Sequence, residues 1–301
     1  MDVILHIGAH RTGTKTFQDY LRRHAAQLAG EQVEYWGPGR TRRGLFSAAQ
    51  DAGAERVQLQ LAAARARGVK TLLISDENMM GSLRDTLRDG CLYASAGASL
   101  AHVARAFDGQ LTAVVLSPRS LDYYWGSALA HGIACGAGMP GRDRLNAIVR
   151  SARSWRDVIA DVAQAIPDVD LRVTPFERFA GRPEALLAAA TGITAPCDRD
   201  RGWLNPAPTL PELRRVLPAR GAPGSALPFG MDRWNPFTPE ETAALREAYA
   251  DDTMWLVAGA DGLATLTEDN ARTRAGQTLP VGARTKGHGD EHEKRQMARP
   301  G

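Results

Sequence analysis

VILHI at 3–7 runs directly into GAHRTGTKT at 8–16, and an apolar pattern with three- and four-residue steps begins at once at Phe17. A short apolar run rich in branched residues reads as a buried strand, and a strand that feeds a glycine-bearing loop and then a helix opens a parallel α/β unit. The same kind of strand recurs at 69–74, 111–116 and 171–173, with Val33 to Trp36 as a further short candidate. Helical periodicity fills the gaps, over 17–28, 57–67, 100–107, 121–130 and 155–165. Parallel neighbours need long crossovers, so this alternation predicts an α/β, three-layer fold with a mostly parallel central sheet. Strand order stays open at this level.

The 301 residues, 44% apolar, are enough for one large core. Cys91, Cys135 and Cys197 are odd in number and widely spaced, which fits a reduced, cytoplasmic setting rather than a disulfide framework or a metal-ligand cluster. The chain opens on Met1-Asp2 and a five-residue apolar stretch, unlike a secretion leader, and no window approaches a membrane span. With 37 basic and 34 acidic residues the net charge is only +3, so nucleic acid is not the expected partner and any anion site must be local. From Thr194 to Pro239 a Pro-, Gly- and Arg-rich texture predicts loop rather than a second core. Thr238, Pro239 and Glu241 then mark a helix start, with Leu245, Tyr249 and Leu256 as core contacts. The expected division is a catalytic domain over 1–262 and a disordered basic tail over 263–301.

The chemistry of the first loop follows from its residue types. Gly8 and Gly13 allow backbone angles that turn successive N–H groups toward an anion, and the helix that follows adds free donors and partial positive charge. Arg11 and Lys15 supply charge, while His10, Thr12, Thr14 and Thr16 supply further hydrogen-bonding groups. The ATP-binding pattern GxxxxGK[ST] fits imperfectly, because Thr14 holds its lysine position and Lys15 comes one residue late. LHIGAHRTGTKT at 5–16 instead resembles the 5'-phosphosulfate loop of the sulfotransferase family, whose core reads PKSGTT, and especially bacterial members with LHIGxHKTGTT. Arg11 stands where lysine is usual, as in the tyrosylprotein members, and Lys15 replaces a threonine.

The strand at 111–116 ends in SPRSLDYYWGS, which is similar to the same family's 3'-phosphate motif: an arginine, Arg119, and a serine eight residues on, Ser127. An arginine at a strand's carboxyl edge grips phosphate with two parallel bonds. Ser127 lies about 12 Å further along a helix rising 1.5 Å per residue, so the two share one phosphate only if the loop folds back. RWNPFTPEE at 233–241 faintly resembles the family's donor-covering loop. Transfer to an alcohol needs a base, and SDEN at 75–78 places two acids at the edge of the third predicted strand. Glu77 is the favoured base, against a capping or ion-pairing role; Asp76 is second, and His131 a lesser candidate for general acid.

The resemblance implies a three-layer P-loop-NTPase-like fold and an enzyme, a sulfotransferase that takes a sulfuryl group from 3'-phosphoadenosine-5'-phosphosulfate (PAPS). In that reading His10, Arg11, Thr12, Gly13, Thr14, Lys15, Thr16, Arg119 and Ser127 bind the donor, and Arg11 and Glu77 act in catalysis. No metal is called for. The acceptor stays open among small-molecule, carbohydrate and lipid-headgroup hydroxyls or amines, as does oligomeric state. The rivals are a magnesium-dependent kinase or NTPase, with Asp76 of LLISDE (72–77) holding the metal, and an inactive nucleotide-binding protein on the same fold.

Overall fold

The computed structural model describes residues 1–42, 50–194, 204–220 and 223–267. Strands β1 (Asp2–His6), β2 (Val33–Trp36), β3 (Thr71–Ser75), β4 (Ala113–Leu116), β5 (Asp170–Val173) and β6 (Thr265–Leu266) form one sheet. Their order is β2-β3-β1-β4-β5-β6 and every pairing is parallel, the α/β arrangement expected. Side chains along β1 alternate between two cores, as the two-residue strand period requires. Val3, Leu5 and Ile7 join Leu61, Leu100, Tyr124, Trp155 and Leu256 on one face. Ile4 faces Phe17, Tyr20, Leu21 and Leu187 on the other. The helix Thr14–Arg23 therefore covers one face and the helix Leu121–Ala134 the opposite one.

That division places the site. After β1 the chain moves toward β3 and β2, and after β4 it moves toward β5, so the loops that follow β1 and β4 part company at the carboxyl edge. A crevice at such a switch point is where open α/β sheets bind ligands. Hydrogen bonds continue past the strands and hold the loops in register: Ala9 N–H donates to the Ser117 carbonyl at 3.2 Å, and Ser117 N–H to the Gly8 carbonyl at 2.5 Å.

Three expectations change. The helix predicted over 17–28 starts earlier, at Thr14, because Gly13 in a left-handed conformation opens it, and it breaks at His24 before a second short helix, Ala25–Gly30. The segment 194–239 is not simply loop. It carries the helix Leu210–Val216, started by a Thr209/Glu212 capping box, and Leu210, Leu213, Leu217, Leu227, Trp234 and Phe237 are buried in the larger core. Three of those leucines follow a helical spacing that the surrounding Pro, Gly and Arg conceal. The sheet also extends beyond the boundary expected at 262, since β6 pairs with β5 through Arg172↔Thr265 and Val173↔Leu266. The tail expected over 263–301 lies from 268 onward outside the described residues.

The helix Pro239–Val257 begins as read, with the reciprocal Thr238/Glu241 capping box. Its buried Asp252 accepts hydrogen bonds from Ser154 Oγ at 2.6 Å and Trp155 N–H at 2.9 Å, satisfying the open amino end of the helix Trp155–Ala165. Trp155 in turn donates from Nε1 to the Arg119 carbonyl at 2.7 Å. The last long helix thus steadies the turn that carries Arg119. Asp252→Ala leaves these donors buried and unmatched, and it is expected to cost about 2 kcal/mol in a urea unfolding experiment.

Candidate active site

The loop after β1 reverses through three left-handed residues, Gly8 (φ 88°), Arg11 (φ 63°) and Gly13 (φ 81°). Glycine is required at 8 on two counts, since a Cβ there would meet Glu77 Cβ at 3.0 Å as well as adopt an unfavourable angle. Arg11 has no such licence, and a non-glycine residue held there is strained by about 1 kcal/mol or more. Three contacts hold it. Its carbonyl accepts from Arg119 Nη1 at 2.7 Å, its Nε donates to Ser127 Oγ at 3.0 Å, and its Nη2 donates to the Asn205 carbonyl at 3.2 Å. Arg119 and Ser127 are therefore both bonded to Arg11, which stands between them. No side chain caps the helix Thr14–Arg23, so its first N–H groups stay open toward the cavity.

A cavity of about 490 Å³ lies over this loop, between the ends of β1, β3 and β4. Arg11, Lys15, Arg42, Arg119 and Arg233 line it, against Glu77 as the one acidic side chain among the described residues of its wall. The side chains of Lys15 and Arg233 form no hydrogen bond or ion pair among the described residues, and both are exposed. Burial lowers Arg119 to about 10, with Glu177 opposing and Arg233 and Arg11 adding to the shift, and its Nε has no hydrogen-bond partner among the described residues. Arg11 is lowered as well, chiefly by burial. The Arg119 guanidinium lies 4.5 Å from the Phe176 ring centre, which supports it from below. Cations crowded together and partly stripped of water are a standing demand for an anion.

Of the predicted site residues, His10, Arg11, Gly13, Thr14, Lys15, Glu77, Arg119 and Ser127 line the cavity. Thr12 and Thr16 do not. The Thr12 hydroxyl donates back to the Ala9 carbonyl at 2.7 Å, and Thr16 Oγ1 accepts from Leu204 N–H at 3.1 Å, so both hold the loop and its neighbour in shape. His10 is fixed between Tyr93 and Asn78, with Nδ1 at 2.8 Å from the Tyr93 hydroxyl and Nε2 at 2.8 Å from Asn78 Oδ1. Burial lowers its pKa, so it stands as a neutral ring whose nitrogens are both engaged. His131 lines the same wall one turn beyond Ser127, lowered by burial and by Arg11 and Lys15.

The two acids after β3 part in role. Asp76 is buried and consumed: it accepts from Thr41 Oγ1 at 2.6 Å, from Arg42 Nε at 3.0 Å and Nη2 at 2.6 Å, and from Asn78 N–H at 3.0 Å. Glu77 reaches the cavity wall, with Arg42 Nη2 at 3.1 Å from Oε1 and Gln18 Nε2 at 3.0 Å from Oε2. Sequence reasoning did not single out Arg42 or Gln18, because nothing in their spacing marks them. Arg233 carried a faint signal as the first residue of RWNPFTPEE.

His6, within β1, is a packed core histidine. It lies edge-on to Phe17 with ring centres 4.9 Å apart, and burial lowers it to about 4, with Glu77 opposing. The unfolded chain binds a proton at His6 near pH 6.5 and the folded chain only near 4, so stability is lost as pH falls through that window. The loss is on the order of 3 kcal/mol by pH 4. Denaturant titrations at pH 7, 5.5 and 4.5 are expected to show it, and His6→Phe to remove the His6 share of the slope, leaving that of His10 and His131.

No protein-family model matches this chain, and a search of curated proteins finds no match either.

Proposed function

We propose that the chain is a sulfotransferase that moves the sulfuryl group of PAPS to an acceptor hydroxyl or amine. One observation carries the reading: Arg11, in the first loop, is hydrogen-bonded to Arg119 in a loop 108 residues on and to Ser127 in the helix that follows it, forming one unit on the wall of a cationic cavity. A donor with a phosphosulfate at one end and a 3'-phosphate at the other matches that charge. The open N–H groups of residues 13–16, with Lys15, suit the phosphosulfate, and Arg119, Ser127 and the unpaired Arg233 suit the 3'-phosphate. A smaller cavity of about 180 Å³ continues from Arg119, Ser127 and Arg233 past Tyr123 and Trp234, which leaves room for the rest of a nucleotide.

In the reaction the acceptor oxygen bonds to sulfur as the bond from sulfur to the bridging phosphate oxygen breaks. Glu77 takes the acceptor proton, and Arg11 with the helix start stabilises charge on the leaving phosphate. Lys15 adds a cation to the loop where the resembling sequences have threonine, and with no side-chain partner among the described residues it suits the same anion.

The kinase reading asks Asp76 to hold magnesium. Asp76 is instead paired with Arg42 and Thr41, and releasing it would leave a guanidinium beside the metal, a cost of several kcal/mol. Calorimetric titration with 3'-phosphoadenosine-5'-phosphate in chelator is expected to give micromolar binding, weakened at least tenfold by Arg119→Ala and by Arg233→Ala. Binding of ATP with magnesium in place of the bisphosphate would overturn the sulfotransferase reading.

A further inference from the structure

Gln18 sits in the second turn of the helix Thr14–Arg23, facing the carboxyl end of β3, and the proposed reaction gives it no task. Its side-chain Nε2 lies 3.3 Å from the Ser75 carbonyl, 3.3 Å from Ser75 Oγ and 3.0 Å from Glu77 Oε2. An amide nitrogen carries two hydrogens, so Ser75 takes one and Glu77 the other. We propose that Gln18 is a positioning residue for Glu77, holding the carboxylate from its buried side, with the Ser75 carbonyl fixing the direction in which the amide faces. The inference rests on the reading of Glu77 as the base.

The direction follows from hydrogen counting. The Ser75 carbonyl and the Glu77 carboxylate can only accept, so the amide must turn its NH2 group toward them, and His6 Nδ1, 2.8 Å from Ser75 Oγ, fastens the serine beside it. Gln18 can then present only N–H to Glu77. On the opposite side Arg42 Nη2 meets Oε1 at 3.1 Å. The two partners differ usefully. A cation on each side would hold the carboxylate but weaken it as a proton acceptor, whereas a neutral amide fixes its orientation with less loss of basicity. The other charged or titratable groups that feel Glu77 are Asp76, which shares Arg42 with it, and His6, His10, Tyr35 and Tyr93, each coupled to its charge.

The test compares wild type with Gln18→Leu in the full chain. Breakdown of PAPS to the bisphosphate and sulfate with water as acceptor is followed from pH 5 to 9, beside calorimetry with the bisphosphate. The expected result is a rate roughly tenfold or more lower, unchanged bisphosphate affinity, and an acid limb of the pH–rate profile moved to higher pH, because the carboxylate has lost a donor. An unchanged rate, or a slower rate with the acid limb unmoved, would overturn the proposal. Gln18→Asn keeps an amide but withdraws it by one methylene, and it serves where the apolar variant fails to fold, with the same displacement expected. If wild type turns over no PAPS, the sulfotransferase reading fails by itself. A carbon-13 NMR titration of the Glu77 carboxyl group in both proteins then decides the positioning role alone: a curve displaced to higher pH in Gln18→Leu supports it, and superimposed curves sink it.

Discussion

The backbone path from Gly8 to Gly13 is the constraint on which the rest of the site depends. It departs from β1 at the middle of the sheet, passes so close to Glu77 that a Cβ at residue 8 would crowd it at 3.0 Å, and turns at Arg11 through a left-handed angle held by tertiary contacts. Those contacts are also the ones that assemble the site. Arg119 reaches the Arg11 carbonyl, and the Arg11 side chain reaches Ser127, so local strain in one loop is offset by bonds to a second loop and a helix on the far face. Remove the left-handed turn and the three residues no longer share a wall.

Around that path the protein sorts charge by depth. Asp76 lies behind the wall, paired with the Thr41 hydroxyl and with Arg42, whose guanidinium also reaches Glu77 at the surface of the cavity, where Glu77 keeps a mixed environment of that guanidinium and one amide. The cations of the other end have no such counterions. Arg119 is pressed against Phe176, short of one hydrogen-bond partner and lowered by burial, and Arg233 and Lys15 stand unpaired among the described residues. An arrangement of this kind is costly without an anion and is relieved by one, which is the physical content of the proposed donor site.

Support for the site comes from far along the chain. Asp252, in the last long helix, closes the amino end of the helix that carries Trp155, and the Trp155 indole holds the carbonyl of Arg119. The segment 204–233, whose composition reads as loop, buries leucines in the main core and thereby brings Asn205 and Arg233 to the cavity. Stability and site geometry are therefore not separable in this region.

The sequence by itself determined the α/β class and five of the six strands and marked the glycine loop over 8–16, because each rests on short-range pattern, branched apolar runs and glycines at fixed offsets, whereas Arg119 and Ser127 stood out only through resemblance to a family motif. It also marked two carboxylates after the third of the predicted strands. Only the tertiary structure decided between them, by setting Arg42 and Thr41 against Asp76 and leaving Glu77 at the cavity. It alone turned Thr12 and Thr16 inward, added the two-residue β6, and brought Gln18, Arg42 and Arg233 to the site. Strand order is the reason. Placing β1 between β3 and β4 juxtaposes three loops that lie far apart in the chain, and which side chains meet across them depends on register and packing that no local pattern encodes.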